Sequence, residues 1–315
     1  MQGVWGTSVV PQDHFMTLLL FLAILDGLAY AAQVFMVAVG LTLIFGVLRI
    51  LNVAHGSFFA IGGYVAATLG AWAAATAAAP VLALPVLLLA AVLVGGVLGP
   101  LIERLILARI YVKEHVLQLL VTFALFMILE DIQKLIWGVQ PIFQDAPVRV
   151  LGQVEVGDII YTAYQLYLLP GVALATLLGL MWFLRRTLTG RVIVAVTEDR
   201  EAATAMGIDA NRVYLLTFTF GTVLAALGGA LASPTTSLVP GVGVNMIVLS
   251  FAVVATAGLG QIEGAMLTAL LIGLGRSVAV YFAPEFEVVI PYLIMVAVLL
   301  VRPHGLFGKP ELRRV

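Results

Sequence analysis

The sequence predicts an all-α fold, a polytopic transmembrane bundle of about eight to ten helices with interruptions in some of them. Three observations predict it. Hydrophobic residues make up 62% of the 315 and charged residues only 10%, where soluble domains carry roughly a quarter charged. Mean hydropathy is +1.13. Apolar runs of about 20 residues recur from end to end, each long enough to cross roughly 30 Å of hydrocarbon as a helix. The runs lack the period-2 alternation of a membrane barrel. Cysteine is absent, which removes disulfides, thiolate catalysis and cysteine metal sites. The opening MQGVWGTSVVPQDHF has no basic stretch before its apolar run, so no cleaved signal peptide is expected.

The spans follow in order. Residues 15 to 25 form a short lead-in helix, and the first span, 27 to 48, stops at Arg49. After Asn-Val-Ala-His-Gly-Ser comes the second, 57 to 77, which runs into an alanine-biased tract near residue 75. The third, 82 to 102, ends at the basic loop of Arg104, Arg109 and Lys113. The fourth, 115 to 137, carries Glu130, Asp131 and Lys134, an ordinary i to i+4 pairing. The fifth and sixth, 165 to 184 and 213 to 233, flank the polar segment 185 to 212. The last three, 245 to 262, 265 to 283 and 288 to 302, are short and closely spaced. Gly221, Ala225 and Gly229, and again Ala265, Ala269 and Gly273, place small residues at four-residue spacing, a face for close helix packing in lipid. No linker divides the chain, so 1–315 reads as a single transmembrane domain.

Basic residues are retained on the cytoplasmic side. Arg104, Arg109 and Lys113, then Arg185, Arg186, Arg191, Arg200 and Arg212, then Arg302, Lys309, Arg313 and Arg314 fall on one side by span parity. The loop 138–164 holds only Arg149, beside Asp145, Glu155 and Asp158. The 185–212 segment and the C-terminus are therefore expected in the cytoplasm and the 138–164 loop outside. In that loop VRVLGQVEVGDII reads as a small hairpin about a Leu-Gly-Gln turn.

Two interruptions stand out. In the first, Asn52, His55 and Ser57 offer local backbone partners and Gly56 tolerates unusual dihedrals, so the helix breaks. It is either a short cytoplasmic turn or a break at membrane depth lining a pathway, since broken backbone survives in hydrocarbon only where protein or water bonds it. Metal ligation by His55 lacks a second ligand at a suitable spacing. The second, TAGLGQIEGAM at 256 to 266, places Gly260, Glu263 and Gly264 between apolar runs, as a plain interhelical turn or as the counterpart of the first.

The cytoplasmic segment holds a short-helix signal. Thr197 reads as its N-cap, Glu198 and Asp199 suit the positive end of the dipole, and Gly207 suits the C′ position. Ala202, Ala203 and Met206 share one small face, with Arg200 and Glu201 among them. Such a helix is too short to stand alone, so it rests on its own bundle or is presented to a soluble partner. Within spans, Asp26 and Arg276, with Glu285 further on, are the ionisable residues that call for a role. No phosphate loop, zinc-protease motif or serine-hydrolase elbow occurs, and no basic stripe supports nucleic-acid binding.

GLTLIFGVLRILNVAHGSFFAIGGYVA at 40 to 66 resembles the N-terminal third of the branched-chain amino acid ABC permeases. ERLILAR at 103 to 109, GRVIVAVTEDREAATAMGIDANRVYLLTF at 190 to 218, and LGQIEGAMLTALLIGLG through VRPHGLFGKPE agree with that family in the same order. The N-A-H-G motif looks like the first of the family's two permease types. The resemblance implies an ABC importer permease in a bacterial inner (plasma) membrane, working with a second, related permease, two cytoplasmic ATPase subunits and an external binding protein. No cofactor is implied, and ATP hydrolysis falls to the separate subunits. Glu198, Asp199, Arg200, Glu201, Ala202, Ala203, Met206 and Gly207 match the coupling helix, and Asn52, His55, Gly56 and Ser57 match the family's helix interruption. The cargo would be a branched-chain or other aliphatic amino acid. Urea or short amides carried by the same family, an ion-coupled secondary transporter and a lipid-modifying membrane enzyme are the rival readings.

Overall fold

The computed structural model describes residues 12–75, 80–156 and 159–308. Its helices are α1 (Gln12–Leu48), α2 (His55–Ala75), α3 (Ala83–Leu105), α4 (His115–Trp137), α5 (Ala146–Leu151), α6 (Leu169–Arg186), α7 (Leu188–Glu198), α8 (Arg200–Ala205), α9 (Ala210–Ala232), α10 (Val242–Ala257), α11 (Ile262–Phe282) and α12 (Ile290–Val301). Among the described residues, seven helices are long and apolar enough to cross a membrane, α6 together with the π-helical turn Tyr164–Leu168 that precedes it. The shorter apolar α10 and α12 bring the number to the nine spans read from the sequence.

Several boundaries differ from the expectation. The lead-in helix and the first span are one continuous helix of 37 residues. At 1.5 Å per residue that is about 55 Å, more than a bilayer's ~30 Å core. The expected hairpin is displaced: Val148–Leu151 belongs to α5, and the strands are β1 (Gln153–Val156) and β2 (Ile159–Thr162), paired antiparallel with Gln153 opposite Thr162. Pro147 opens α5 and Gly152 at φ +72 closes it, so the chain turns only after Leu151. The tail residues Lys309, Arg313 and Arg314 and part of the alanine tract near 75 lie outside the described residues.

Burial separates the centre from the rim. In α1, 83% of its most apolar window is buried, against 28% in α4 and 17% in α6. α1 packs on α9, α10 and α11, while α9 packs on α1, α2 and α3. Glycines set these crossings. Gly40 of α1 meets Gly221 of α9, Gly27 of α1 meets Gly273 of α11, Gly56 of α2 meets Gly243 of α10, and Gly63 of α2 meets Gly229 of α9. Ala225, Ala265 and Ala269 are fully buried beside them, so both small-residue faces pack as the spacing implied. With no water to drive association, van der Waals contact between close backbones holds helices together in lipid.

The two ends of the bundle differ in charge. At one end lie Arg109, Arg185, Arg200, Arg212 and Arg302, with the chain end 302–308 folded against the α10–α11 turn through Leu306 N–H to Thr256 O at 2.8 Å and Phe307 N–H to Ala257 O at 2.9 Å. At the other lie the small sheet and the stack of Trp137 on Tyr64, ring centroids 5.1 Å apart. There an isolated bridge joins Ile142 to Leu238, on the segment between α9 and α10.

A methyl group at Gly229 would run into the carbonyl of Phe59, whereas one at Gly171, on the rim, would meet nothing within 4 Å. Gly229→Ala is expected to cost about 1–3 kcal/mol by overpacking. Gly171→Ala should be neutral or stabilising by about 0.5–1 kcal/mol. Thermal unfolding of the two variants in one detergent checks the contrast.

Candidate functional site

The first interruption is a break in the interior. α1 ends at Leu48, and Arg49 takes a left-handed conformation, φ +54, while its N–H still bonds Phe45 O at 2.9 Å. Arg49 is exposed at the basic end. The chain then turns back through 50–54 without helical structure, and α2 begins at His55. Three side-chain bonds fix how deep it begins. Thr122 of α4 donates to Leu51 O at 3.2 Å, Ser57 Oγ donates to Phe126 O at 3.4 Å, and His55 Nε2 lies 3.0 Å from Val37 O. Phe126 is the midpoint of α4. Val37 lies about 16 Å from the end of α1 at 1.5 Å per residue.

Asn52, His55, Gly56 and Ser57 are all buried. Neither the oxygen nor the nitrogen of the Asn52 amide, nor His55 Nδ1, nor Thr217 Oγ1 on α9 bonds another group. Gly56 is obligatory in this packing, because a side chain there would strike Gly243 O and Ile247 of α10.

The second interruption is a turn at the basic end. Gly258 at φ +100 and Gly260 at φ +80 reverse the chain between α10 and α11. Gly264 packs beneath Phe307, and Glu263 is exposed and paired with Arg185 at 2.5 Å. Of the three predicted residues here, Gly260 lines a cavity of about 540 Å³ together with Gly46, Arg49, His115, Thr197 and Glu198. The structure thus brings Gly260 and Glu198 to one cavity beneath the break, but Glu263 and Gly264 do not line it.

The 185–212 segment contains two helices rather than one. Thr187 caps α7, accepting the Gly190 N–H at 3.0 Å, and Gly190 lies so close to Phe183 O that no side chain fits. Asp199, not Thr197, caps α8, accepting the Ala202 N–H at 3.0 Å. Thr197 instead donates to Ile193 O at 2.9 Å, at the end of α7. Sequence reasoning chose Thr197 because it missed α7; an N-capping Thr187 before an amphipathic run was the available signal. Gly207 at φ +87 closes α8, with Ile208 N–H reaching back to Ala203 O at 3.1 Å, the Schellman pattern.

The expected common face of α8 is divided. Ala203 is buried on the bundle, while Glu198, Asp199, Arg200, Glu201, Ala202, Met206 and Gly207 are exposed. Met206 is 84% exposed, beside an apolar groove lined by Leu188, Val192, Ile208 and Leu216. Arg200 stacks on Tyr214 of α9, 5.3 Å from the ring centroid, and Tyr214 meets Tyr111 edge to face at 5.0 Å. Tyr111 donates to Glu103 at 3.1 Å, and its phenol is pushed up first by burial and then by the Glu103 charge, so it stays a donor.

Sequence reasoning also missed a polar cluster at the other end. Asp26 accepts Tyr161 O–H on Oδ1 and Tyr281 O–H on Oδ2, the latter at 2.5 Å. Arg276 pairs with Glu287, and its guanidinium lies over the Tyr30 ring, 4.1 Å from the centroid. Burial, then the bond and the charge of Asp26, raise the Tyr161 phenol, so it remains protonated and donating. Asp26, Tyr161 and Tyr281 stand too far apart in sequence for any local pattern to pair them.

The geometry defines a multi-pass helical membrane protein with a helix broken in its interior and a capped helix exposed at its basic end. Residues 23–299 match the family described as the permease component of the branched-chain amino acid transport system, and the chain belongs to that family. It is 26% identical over 304 residues to the high-affinity branched-chain amino acid transport system permease protein BraD of Pseudomonas aeruginosa, covering 93% of this chain and 97% of the relative. It is 27% identical over 304 residues to the corresponding protein LivH of Escherichia coli K12, covering 92% and 96%.

Asp199→Ala removes the cap of α8 and should cost about 1 kcal/mol locally. Hydrogen exchange of the 200–206 amides is expected to quicken about fivefold, while Asp199→Asn keeps the wild-type rate.

Proposed function

We propose that the chain is the membrane-spanning permease subunit of an ATP-driven ABC importer in a bacterial inner membrane, with its C-terminus cytoplasmic. It translocates branched-chain or other aliphatic amino acids delivered by an external binding protein. A second, related permease and two cytoplasmic ATPase subunits complete the assembly, and ATP is hydrolysed in those subunits rather than here. The family membership supports the class. The observation that carries the coupling role is α8, a short helix capped at both ends and left exposed at the basic end with Met206 outermost. Met206 and the adjacent groove of Leu188, Val192, Ile208 and Leu216 make an exposed apolar patch that suits a partner's cleft.

Motion entering at α8 has a material route inward. Ala203 and the Arg200–Tyr214 stack seat α8 on the end of α9. α9 in turn touches α1 backbone to backbone at Gly221 and Gly40, beside the His55 ring. A tilt of α9 therefore acts directly on the break, and packed interfaces of this kind switch between discrete arrangements rather than deform smoothly. The exchange of access between the two ends is such a switch. The Asn52 amide is buried and has no protein partner, so its donors and acceptor are open to water or to the polar groups of cargo. This supports Asn52 and His55 as part of the pathway.

Two experiments test the reading. With Glu198–Glu201 replaced by four glycines, the reconstituted complex is expected to lose at least tenfold of its cargo-stimulated ATP hydrolysis while the bundle's unfolding temperature holds; unchanged stimulation removes the coupling role. Asn52→Ala deletes an amide that bonds nothing in this conformation, so its unfolding free energy should move by less than about 1 kcal/mol. Uptake by the same variant should fall severalfold, and wild-type uptake removes Asn52 from the pathway.

A further inference from the structure

We propose that the cavity between the upper parts of α1 and α11, at the end opposite the basic rim, binds the charged head of a zwitterionic amino acid, Asp26 taking the ammonium and Arg276 the carboxylate. The assignment rests on the permease reading above and adds to it a place where cargo is held within this chain. The cavity measures about 240 Å³ and is lined by Asp26, Tyr30, Gln33, Thr235, Arg276 and Glu287, among others.

Charge is the first argument. The lining carries two carboxylates, Asp26 and Glu287, and one guanidinium, Arg276. Glu287 meets Arg276 through one nitrogen of the fork, which leaves other N–H donors for a second carboxylate, and no other cation in the lining is there to pair with Asp26. A ligand with an ammonium group supplies it. Geometry is the second. Each Asp26 oxygen accepts one tyrosine O–H, so the carboxylate is held in a fixed orientation, and each oxygen retains a further acceptor site. The Arg276 guanidinium is fixed between Glu287 and the Tyr30 ring. A guanidinium has five N–H donors in a planar fork that matches a carboxylate.

Comparison with the other cations at this end is the third argument. Lys134 pairs with Glu130 and Asp131, and Arg149 with Asp145, each three or four positions away on its own element. Arg276 is 27% exposed and draws its partners from other elements. Ionisable groups held inside a membrane bundle are costly and mark substrate paths.

Position is the fourth. Asp26, Tyr30, Gln33, Val37 and Gly40 fall on one stripe of α1, at steps of three and four residues. The stripe begins at the cavity and ends at the break, where Val37 O meets His55 and Gly40 meets Gly221. Gln33, one turn above Val37, bonds Thr235 at 2.8 Å on the segment that leads into α10. Cargo leaving the cavity along α1 therefore meets the interruption next. Ala29 and Val280 add apolar lining for an aliphatic side chain.

The test is equilibrium binding of tritiated L-leucine to the purified full chain in lipid nanodiscs, with leucinamide and 4-methylpentanoate as competitors that each lack one charge. L-leucine is expected to bind the wild type, Asp26→Asn and Arg276→Gln each to weaken it at least tenfold, and both competitors to act at least tenfold more weakly than leucine. Thr236→Phe, which narrows the cavity and leaves every charge in place, should also weaken binding, so the result does not depend on the charge variants folding. Absence of leucine binding, wild-type affinity in all three variants, or leucinamide competing as well as leucine would each overturn the site. ATP-driven leucine uptake by the complete reconstituted assembly separates the two readings. Unchanged uptake KM in Asp26→Asn and Arg276→Gln overturns the site and leaves the permease reading intact, whereas no uptake by the wild-type assembly overturns the permease reading.

Discussion

Backbone lies against backbone wherever the central helices of this bundle cross. Gly40 on Gly221, Gly56 on Gly243 and Gly63 on Gly229 bring α1, α2, α9 and α10 closer than any side chain allows. That proximity is what permits a broken helix in the interior. A chain that leaves helical geometry in hydrocarbon must find hydrogen-bonding partners within the protein. Here Val37 O, Phe126 O and the Thr122 hydroxyl reach the residues between Leu51 and Ser57 because the neighbouring helices stand close enough. At the Asn52 amide the neighbouring helices supply no partner.

Much of the fold was legible in the sequence because the bilayer imposes a simple length rule. Nine apolar runs became nine apolar helices, and most of the arginines gathered at one end. The errors came from short-range choices that composition does not decide. The polar Asp26 falls between the two apolar runs read as separate helices; the tyrosines that donate to it and let the helix run on lie on β2 and α11. The hairpin slipped because Pro147 suits the first turn of a helix, a preference that outweighed the alternation of Val148 to Leu151.

The site was half legible. Asn52, His55 and Gly56 announced a break by residue type, yet its depth was open until α4 and α1 supplied a ruler in Phe126 and Val37. Residues 198 to 207 announced a helix, but which of two adjacent acceptors capped it depended on α7, whose Thr187 cap had been passed over. Arg276 was marked as unusual from sequence alone. Its partner was not: Glu287 pairs with it from just beyond the 3₁₀ turn Pro284–Phe286, whose geometry only the folded chain defines.

The chain's last described stretch carries its own consequence. Leu306 and Phe307 bond the carbonyls of Thr256 and Ala257, and Gly305 lies against Gly258. The final turn of α10 is thus sealed by residues synthesised some fifty positions later. During synthesis that helix end lacks these partners until α11 and α12 have been made and residues 305–307 follow them. Residues 305–307 act as a latch on α10, so the order of translation is written into the order of closure.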